Sequence, residues 1–425
     1  MNDGVVSMGA RVEVTKRLRQ AYRGASKKEK GRVLDSFCES TGLSRATARR
    51  YLTSDVTGNP GVVRIDYRKA RATKYSTVAK RILQRVWVLS GCQCGKYLAV
   101  SMRVWLDSLE THEELVIGRS GYSQEIRDEL LGMSASTIDR YLKEARQSLE
   151  LRGIPATKPG ALLRNSIKIR KAGDEIADEP GFFEMDTVAH CGPSLKGEFV
   201  RTLTLTDVNT GWIHLEALRN NARVHMLKAL DSAIEAIPYQ VQGLDCDNGS
   251  EFINRDVINW ASSLDVFFTR SRPYKKNDQA HVESKNNHVV RKYGFHYRYD
   301  TPEELKVLSQ LWKTVCLRMN LFTPTRKPIG WSQDSVGRRK RVYDTPATPL
   351  DRLLASGILS RTQTEELQQL RDSTNPAELT RDILRYQAIL TDLARTPTQV
   401  LTINMEQKRA KHETRLTQGI KTRSA

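Results

Sequence analysis

Three carboxylates in this chain stand where a carboxylate is chemically conspicuous. Asp186 sits inside "FFEMDT", an apolar run in which a charge needs a partner. Asp247 lies in "LDCDNGSEF", where a short apolar run stops and Asn248-Gly249 turns the chain. Glu283 is one acid among the lysines, asparagines and arginines of "RSRPYKKNDQAHVESKNNHVVRKYG", Arg270 to Gly294. Thirty-five residues (248–282) separate the second acid from the third. If the three converged without a cation, they would repel and raise one another's pKa. Oxygen ligands of this kind suit Mg²⁺ or Mn²⁺. Two such ions about 4 Å apart can activate a water or a 3′-hydroxyl and stabilise the oxyanion that leaves a phosphodiester.

The elements that must carry these acids follow from the hydrophobic period. "FFEMDTVAHC", "EFVRTLTLTDV" and "GWIHLEAL" alternate or run in β-branched and aromatic residues, and "DVNTG" joins the last two as a hairpin, so three antiparallel strands are expected. Val224, Leu227, Leu230, Ile234 and Ile237 recur at helical steps and predict an amphipathic helix. "VQGLDCD" reads as a short strand, "SEFINRDVINWASSL" as a helix starting at Ser250, and "DVFFTRS" as another strand. A helix from near Asn277 then carries Glu283 one to two turns in, and "TPEELKVLSQLWKTVCLRMNLF" closes a mixed α/β block. On this reading Glu184 shares a face with Asp186, and Asp245 shares one with Asp247. Asn287 and Arg291, four and eight residues after Glu283, share its helical face. Asp207 shapes the hairpin, while His190, Cys191 and His281 are read as packing residues.

Upstream, one pattern occurs twice. "GRVLDSFCESTGLSRATARRYL" is a helix, a break at Thr41-Gly42, and a second helix capped by Ser44 that presents Arg45, Arg49 and Arg50. "SQEIRDELLGMSASTIDRYLKEAR" repeats it, with Gly132 at the turn, Ser134 as cap, and Ile138, Tyr141 and Leu142 on the buried face. In a helix-turn-helix the second helix enters the major groove and its bases fix phosphates, which suits the arginines of the first copy. The second copy has Asp139 where the first has a base, so packing or dimerisation is its alternative use. A formal charge of +19 over 425 residues favours a polyanion partner, with nucleic acid first. No run of eighteen apolar residues and no leader is present, so a membrane role is excluded and a cytosolic chain expected. Six scattered cysteines imply reduced, mostly buried thiols, and the one-residue spacing of Cys92 and Cys94 does not suit zinc. Proline-rich, glycine-rich and basic stretches flank the second copy as linkers. After Phe322 the chain reads as irregular and basic, then helical from Thr362 to Arg395, with Leu367, Leu370, Leu379, Ile383, Leu384 and Leu390 as a packing stripe. The tail from Glu406 reads as disordered or DNA-contacting.

Asp186 on the first strand, "DNGSEF" after the fourth and Glu283 thirty-five residues on together resemble the acidic triad of retroviral-type integrases and bacterial insertion-sequence transposases. "KNDQAHVESKN" is similar to the "KND…VE.KN" signature of one transposase group, as are "DTVAHCG" and "TLTLTDVNTGW"; the likeness spans roughly 181–322. The resemblance implies a multidomain chain: an α-helical helix-turn-helix N-terminus, an α/β ribonuclease-H-like mixed-sheet catalytic core and a mainly helical C-terminus. The expected divisions are a first helix-turn-helix domain at 1–58, a basic linker at 59–80, a second helix-turn-helix domain at 81–150, a basic linker at 151–180, the catalytic core at 181–322 and a basic, helical region at 323–425. It further implies a DDE-type transposase that frees 3′-hydroxyls at the ends of a mobile element and joins them to target DNA. Asp186 would bridge two Mg²⁺ ions, for which Mn²⁺ substitutes, with Asp247 and Glu283 each completing one site. Lys275, Lys276 and Lys285 would hold phosphates, alongside Asn287 and Arg291. The implied partners are double-stranded DNA and further copies of the chain on it, in the cytoplasm of a bacterium and at its nucleoid. An ATPase helper is left open. A domesticated transposase acting only as a DNA-binding regulator is the alternative, though such a protein has no need of the three acids.

Overall fold

The computed structural model describes residues 8–53, 74–147, 168–170, 179–246, 251–252, 254–271, 280–333, 337 and 339–421. The chain divides into two units, 1–74 and 75–425.

The first unit is three helices, α1 (Met8–Gly24), α2 (Lys27–Thr41) and α3 (Arg45–Thr53). Ser26 and Glu29 cap α2 reciprocally, and Gly42 ends it at φ +67°, donating its N–H to the Cys38 carbonyl. That left-handed conformation is open to glycine and strained for residues with a Cβ, so the helix stops there and the chain turns. Ser44 then accepts from the Thr47 N–H at the start of α3. Tyr22, Leu34, Phe37, Ala48 and Leu52 form the small core between the three helices.

The second unit opens with α4 (Thr77–Leu89), α5 (Gly95–Thr111), α6 (Gln124–Leu131), α7 (Ala135–Tyr141) and α8 (Lys143–Gln147). Ser134 caps α7 as its sequence suggests. These helices, expected as a domain apart, instead share one continuous core with the sheet that follows. Trp105 on α5 shows why: its ring packs 5.7 Å from that of Phe322, and its indole N–H donates to the Phe322 carbonyl. Both rings are fully buried, which stabilises the join by about 2–3 kcal/mol per side chain.

The sheet holds β1 (Lys168–Arg170), β2 (Phe182–Ala189), β3 (Arg201–Asp207), β4 (Ile213–Leu218), β5 (Gly243–Cys246) and β6 (Phe267–Ser271) in the order β1-β6-β5-β2-β3-β4. β2, β3 and β4 pair antiparallel, and β2, β5, β6 and β1 pair parallel, so the sheet is mixed. β1 falls in the stretch read as a basic linker and extends the sheet edge beside β6. The β3–β4 turn is closed by Asp207, whose carboxylate accepts from the Thr210 N–H and hydroxyl and from the Gly181 N–H. Its burial raises the pKa against these three donors.

Helix α9 (Arg223–Ala236) is rotated from its expected face. Met226, Ala229, Leu230 and Ala233 are buried, Leu227 and Ile234 are only partly so, and Val224 is 71% exposed. The two alanines present the flat surface that lets the helix backbone lie close to the sheet. Helix α10 (Arg255–Ser263) begins later than Ser250, because Asn254 accepts from the Val257 N–H as its cap. Then come α11 (Ala280–Lys285), a π-helical turn at Asn286–Val290, α12 (Arg291–Gly294) and the long α13 (Pro302–Phe322), capped by Thr301 and Glu304.

Beyond Phe322 the chain is more ordered than its composition suggests. β7 (Pro328–Gln333) and β8 (Arg339–Tyr343) form an antiparallel ribbon, followed by α14 (Pro349–Ser356), α15 (Arg361–Ser373) and α16 (Pro376–Lys421). In α15 and α16, Leu367, Leu379, Ile383 and Leu390 are buried, whereas Leu370 and Leu384 point to solvent. The segment from Glu406 to Lys421, read as a disordered or DNA-contacting tail, continues the backbone of α16. Among the described residues no helix is long and apolar enough to cross a membrane. All six cysteines are free; Cys92 and Cys94 are exposed, against the expectation of mostly buried thiols.

Candidate active site

The alternation of β2 divides the sheet into two chemically different faces. Phe183 and Met185 join Leu203, Leu205, Leu244 and Cys246 in the apolar core. Glu184 and Asp186 project to the opposite side, because successive strand residues alternate. Across the strands, Glu184 is paired with Thr206 on β3 and Asp245 on β5, Asp245 is paired with Thr269 on β6, and Asp186 is paired with Thr204. Partners in register share a face, so this side carries a band of acids and threonines. Glu184 and Asp245 are almost wholly buried, and Asp186 is partly so.

Helix α11 lies against this polar face and is fastened by two hydrogen bonds. The Val282 N–H donates to Glu184 Oε2 at 3.0 Å, and Asn286 Nδ2 donates to Asp186 Oδ2 at 2.6 Å. A free N–H in the first turn of a helix is an orphan donor, and the buried Glu184 satisfies it. The π-helical turn that begins at Asn286 adds a residue to the turn after Glu283, a device frequent at functional sites. Asp186 Oδ1 also accepts from the Thr187 N–H, and the Thr187 hydroxyl donates to Glu251, which Arg201 holds from the other side. Asp245 accepts from the Thr269 hydroxyl at 2.6 Å.

Of the expected triad, Asp186 is therefore described in full. Glu283 lies in α11, one residue after the Val282 anchor, and its side chain is outside the described residues. Asp247 is also outside them; it follows Cys246, whose register partner Met185 precedes Asp186. Among the described residues no group of three metal-ligating side chains occurs. The donor set nonetheless fits a hard cation. Asp186 is a partly buried carboxylate, a hard oxygen ligand, and Asn286 Oδ1 is buried with no partner among the described residues.

The basic residues divide by position. Lys275 and Lys276 lie outside the described residues. Lys285 is partly buried on the wall of a cleft, and burial, with the nearby Arg352, lowers its pKa to about 8. Asn287 is exposed on the same wall. Arg291 turns inward and donates to the Ala189 carbonyl at 3.0 Å, so it and Asn287 do not share one DNA-facing surface. The added residue of the π-turn breaks the four-residue step on which that grouping rests. In the first unit Arg49 and Arg50 are exposed on α3, and Arg45 is paired with Asp35 while remaining half-exposed. His190 is wholly buried, shares a hydrogen with the Thr202 hydroxyl and packs beside Tyr299; burial holds its pKa well below the usual value. Glu184 and Asn286 are the residues whose part sequence reasoning underrated. The signal for Asn286 was the "ESKN" that follows the helical acid.

Residues 178–276 match the model of the integrase core domain, a stretch that includes Asp186 and Asp247 and ends before Glu283. The chain is 35% identical over 351 residues to the uncharacterized protein y4rM of Sinorhizobium fredii, covering 82% of this chain and 96% of that one. Among solved structures it matches the catalytic core domain of BIV integrase at 16% identity and a TM-score of 0.26, over 33% of this chain and 83% of that one. The core at 178–276 is of the class that carries out polynucleotidyl transfer on DNA, and the chain belongs to the integrase-core family, sharing most of its length with y4rM.

Proposed function

We propose that the chain is a DNA transposase that binds the ends of a mobile element, cleaves them and joins them to target DNA. The observation that carries this reading is the fastening of α11 across the acidic face of β2 at Val282–Glu184 and Asn286–Asp186. Those two bonds bracket Glu283 in sequence and hold its helix over the strand of Asp186. The register of β5 adds to it, since Asp186 and Asp247 each follow one member of the Met185–Cys246 pair. Asp186, Asp247 and Glu283 are the catalytic residues on this reading, and would hold two Mg²⁺ ions, with Mn²⁺ as substitute. The ions would supply nucleophile activation and charge stabilisation at the phosphorus.

The chain's own residues orient the groups. Asn286 donates to one oxygen of Asp186 and the Thr187 N–H to the other, which fixes the orientation of the carboxylate. In the first step water attacks the phosphorus at the element's end and the 3′-oxygen leaves as a hydroxyl. In the second that hydroxyl attacks a target phosphodiester and displaces a target 3′-hydroxyl. Arg45, Arg49 and Arg50 on α3 would recognise the end, and Lys275, Lys276, Lys285 and Asn287 would track phosphates near the site. Two ends must meet, so a homo-oligomer on double-stranded DNA is expected, in the bacterial cytoplasm.

Asp186→Asn, Asp247→Asn and Glu283→Gln should each abolish Mg²⁺-dependent cleavage and strand transfer on DNA flanking the gene, with DNA binding retained. Cutting that persists in all three variants would sink the triad. Tight binding by the native protein with neither product would point to a regulator.

A further inference from the structure

A cleft of about 1030 Å³ runs from the candidate active site to the β7–β8 ribbon. It lies at the upper end of the ~300–1,000 Å³ typical of ligand clefts, with room for a segment of an extended chain. Glu184 lines one end together with Ser284 and Lys285, the two residues that follow Glu283. Trp331, Arg341 and Tyr343 of the ribbon line the other. Lys292, Arg326, Lys327 and Arg352 also line the cleft, so cations face it against Glu184 as the only acid of its lining among the described residues. Arg352 is neutralised by Asp344 at 2.8 Å, so the field a ligand would meet comes chiefly from Lys285, Lys292, Arg326 and Arg341. That field calls for a polyanion.

The ribbon adds a second kind of recognition. Trp331 is 56% exposed, an unusual state for the largest apolar side chain. Its ring lies on the ribbon surface beside Arg341, its register partner, and Arg339, whose guanidinium groups are 5.3 Å and 5.1 Å from the ring centre. Neither arginine has an acidic partner among the described residues. Tyr343, 39% exposed, has Arg326 at 4.6 Å from its ring. An exposed indole framed by guanidinium groups offers a flat surface for a nucleobase and charges for the phosphates on either side of it. Bases within a duplex have their faces covered by neighbouring pairs, so only an unpaired base can use that surface.

We infer that this cleft and ribbon bind an unpaired stretch of DNA strand beside the reacting phosphate, with Trp331 stacking on one of its bases. The inference rests on the reading of the chain as a DNA-processing enzyme, and names the single-stranded part of that substrate. In strand terms, the segment that leaves the α11 end of the cleft unpaired is held by the cations and its base is received at the ribbon.

The test uses the full chain in the absence of divalent metal, so that nothing is cut. Binding is followed by fluorescence anisotropy on a fully paired duplex and on the same duplex with an unpaired tail. Trp331→Ala should weaken binding to the tailed DNA about tenfold, in line with one lost base–aromatic stack. On the paired duplex the change should stay within about twofold, and Trp331→Phe should restore most of the loss. Because the side chain is exposed, thermal unfolding of both variants should match the native protein. Equal loss on the two DNAs, or no loss on either, overturns the inference. A native protein that prefers the tailed DNA through Trp331 yet neither cuts nor joins with Mg²⁺ would overturn the proposed function and leave this site standing. Failure to bind either DNA would overturn both.

Discussion

The two stretches read from sequence as helix-turn-helix copies share a pattern and differ in what their second helices touch. In the first, α3 buries Ala48 and Leu52 and leaves Arg49 and Arg50 in solvent. In the second, α7 is pressed against the start of α5: Asp139 accepts from the Gly95 N–H at 2.7 Å and pairs with Arg146 at 2.7 Å. A Cβ on Gly95 would lie 2.2 Å from the Ala135 carbonyl oxygen and 2.7 Å from the Asp139 carboxyl carbon. Asp139, which would face base edges in a groove, is therefore engaged within the protein, while Ser136 and Arg140 of the same helix stay exposed. The turns differ as well, with Gly42 left-handed at φ +67° and Gly132 right-handed at φ −80°. A shared motif thus predicts local shape, while function depends on which face remains uncovered.

The sharpest way to break this contrast is at Gly95. Gly95→Ala forces α5 and α7 apart through a backbone oxygen that cannot swing aside, and strains the Asp139 hydrogen bond. We expect a loss of about 3 kcal/mol, read as a lower urea midpoint with an unchanged slope. A native-like midpoint would mean that the second copy is not clamped as described, and its helix would return as a candidate DNA reader. The next effect belongs to the first copy. Replacing Arg45, Arg49 and Arg50 together by alanine should lower affinity for element-end DNA about a hundredfold, or ~2.7 kcal/mol. The dependence of log affinity on log salt should flatten by roughly one unit per phosphate contact removed. Unchanged affinity and slope would move end recognition elsewhere.

Much of this was legible in the sequence because the chemistry imposed it. Asp186 was visible as a charge in an apolar strand, and the antiparallel run β2-β3-β4 followed from the strand periods and the hairpin at Asp207, whereas the order of the remaining strands and the edge strand β1 did not. What was not legible depended on contacts between distant segments. The period of α9 admitted two faces, and the alanines at 229 and 233 decided which would meet the sheet. The π-turn at Asn286 left no mark in the hydrophobic period, yet it separates Asn287 from Arg291. The ribbon could have been found: "PIGWSQDSVGRRKRVY" has strand-forming residues on both sides of a glycine-containing turn, and its arginines concealed them as an irregular basic stretch. Asp139, by contrast, was the one sequence sign that the second copy had a different use.

The smallest expected effect is therefore the most discriminating. Arg140 and Lys143 are exposed on or just after α7, and a reading from motif alone would place them on phosphates, as it does Arg49 and Arg50. Arg140 instead lies over the Tyr141 ring at 5.3 Å, an arrangement available without DNA. If α7 is committed to α5, replacing both residues by alanine removes only diffuse positive charge. Affinity for element-end DNA should then fall by no more than about twofold at physiological salt, where the Debye length is about 8 Å and distant charges are screened. The salt slope should stay that of the native chain. A drop matching that of the first copy's arginines would show that a helix can be clamped at its N-terminus and still serve DNA along its exposed flank, and burial would no longer distinguish the two copies.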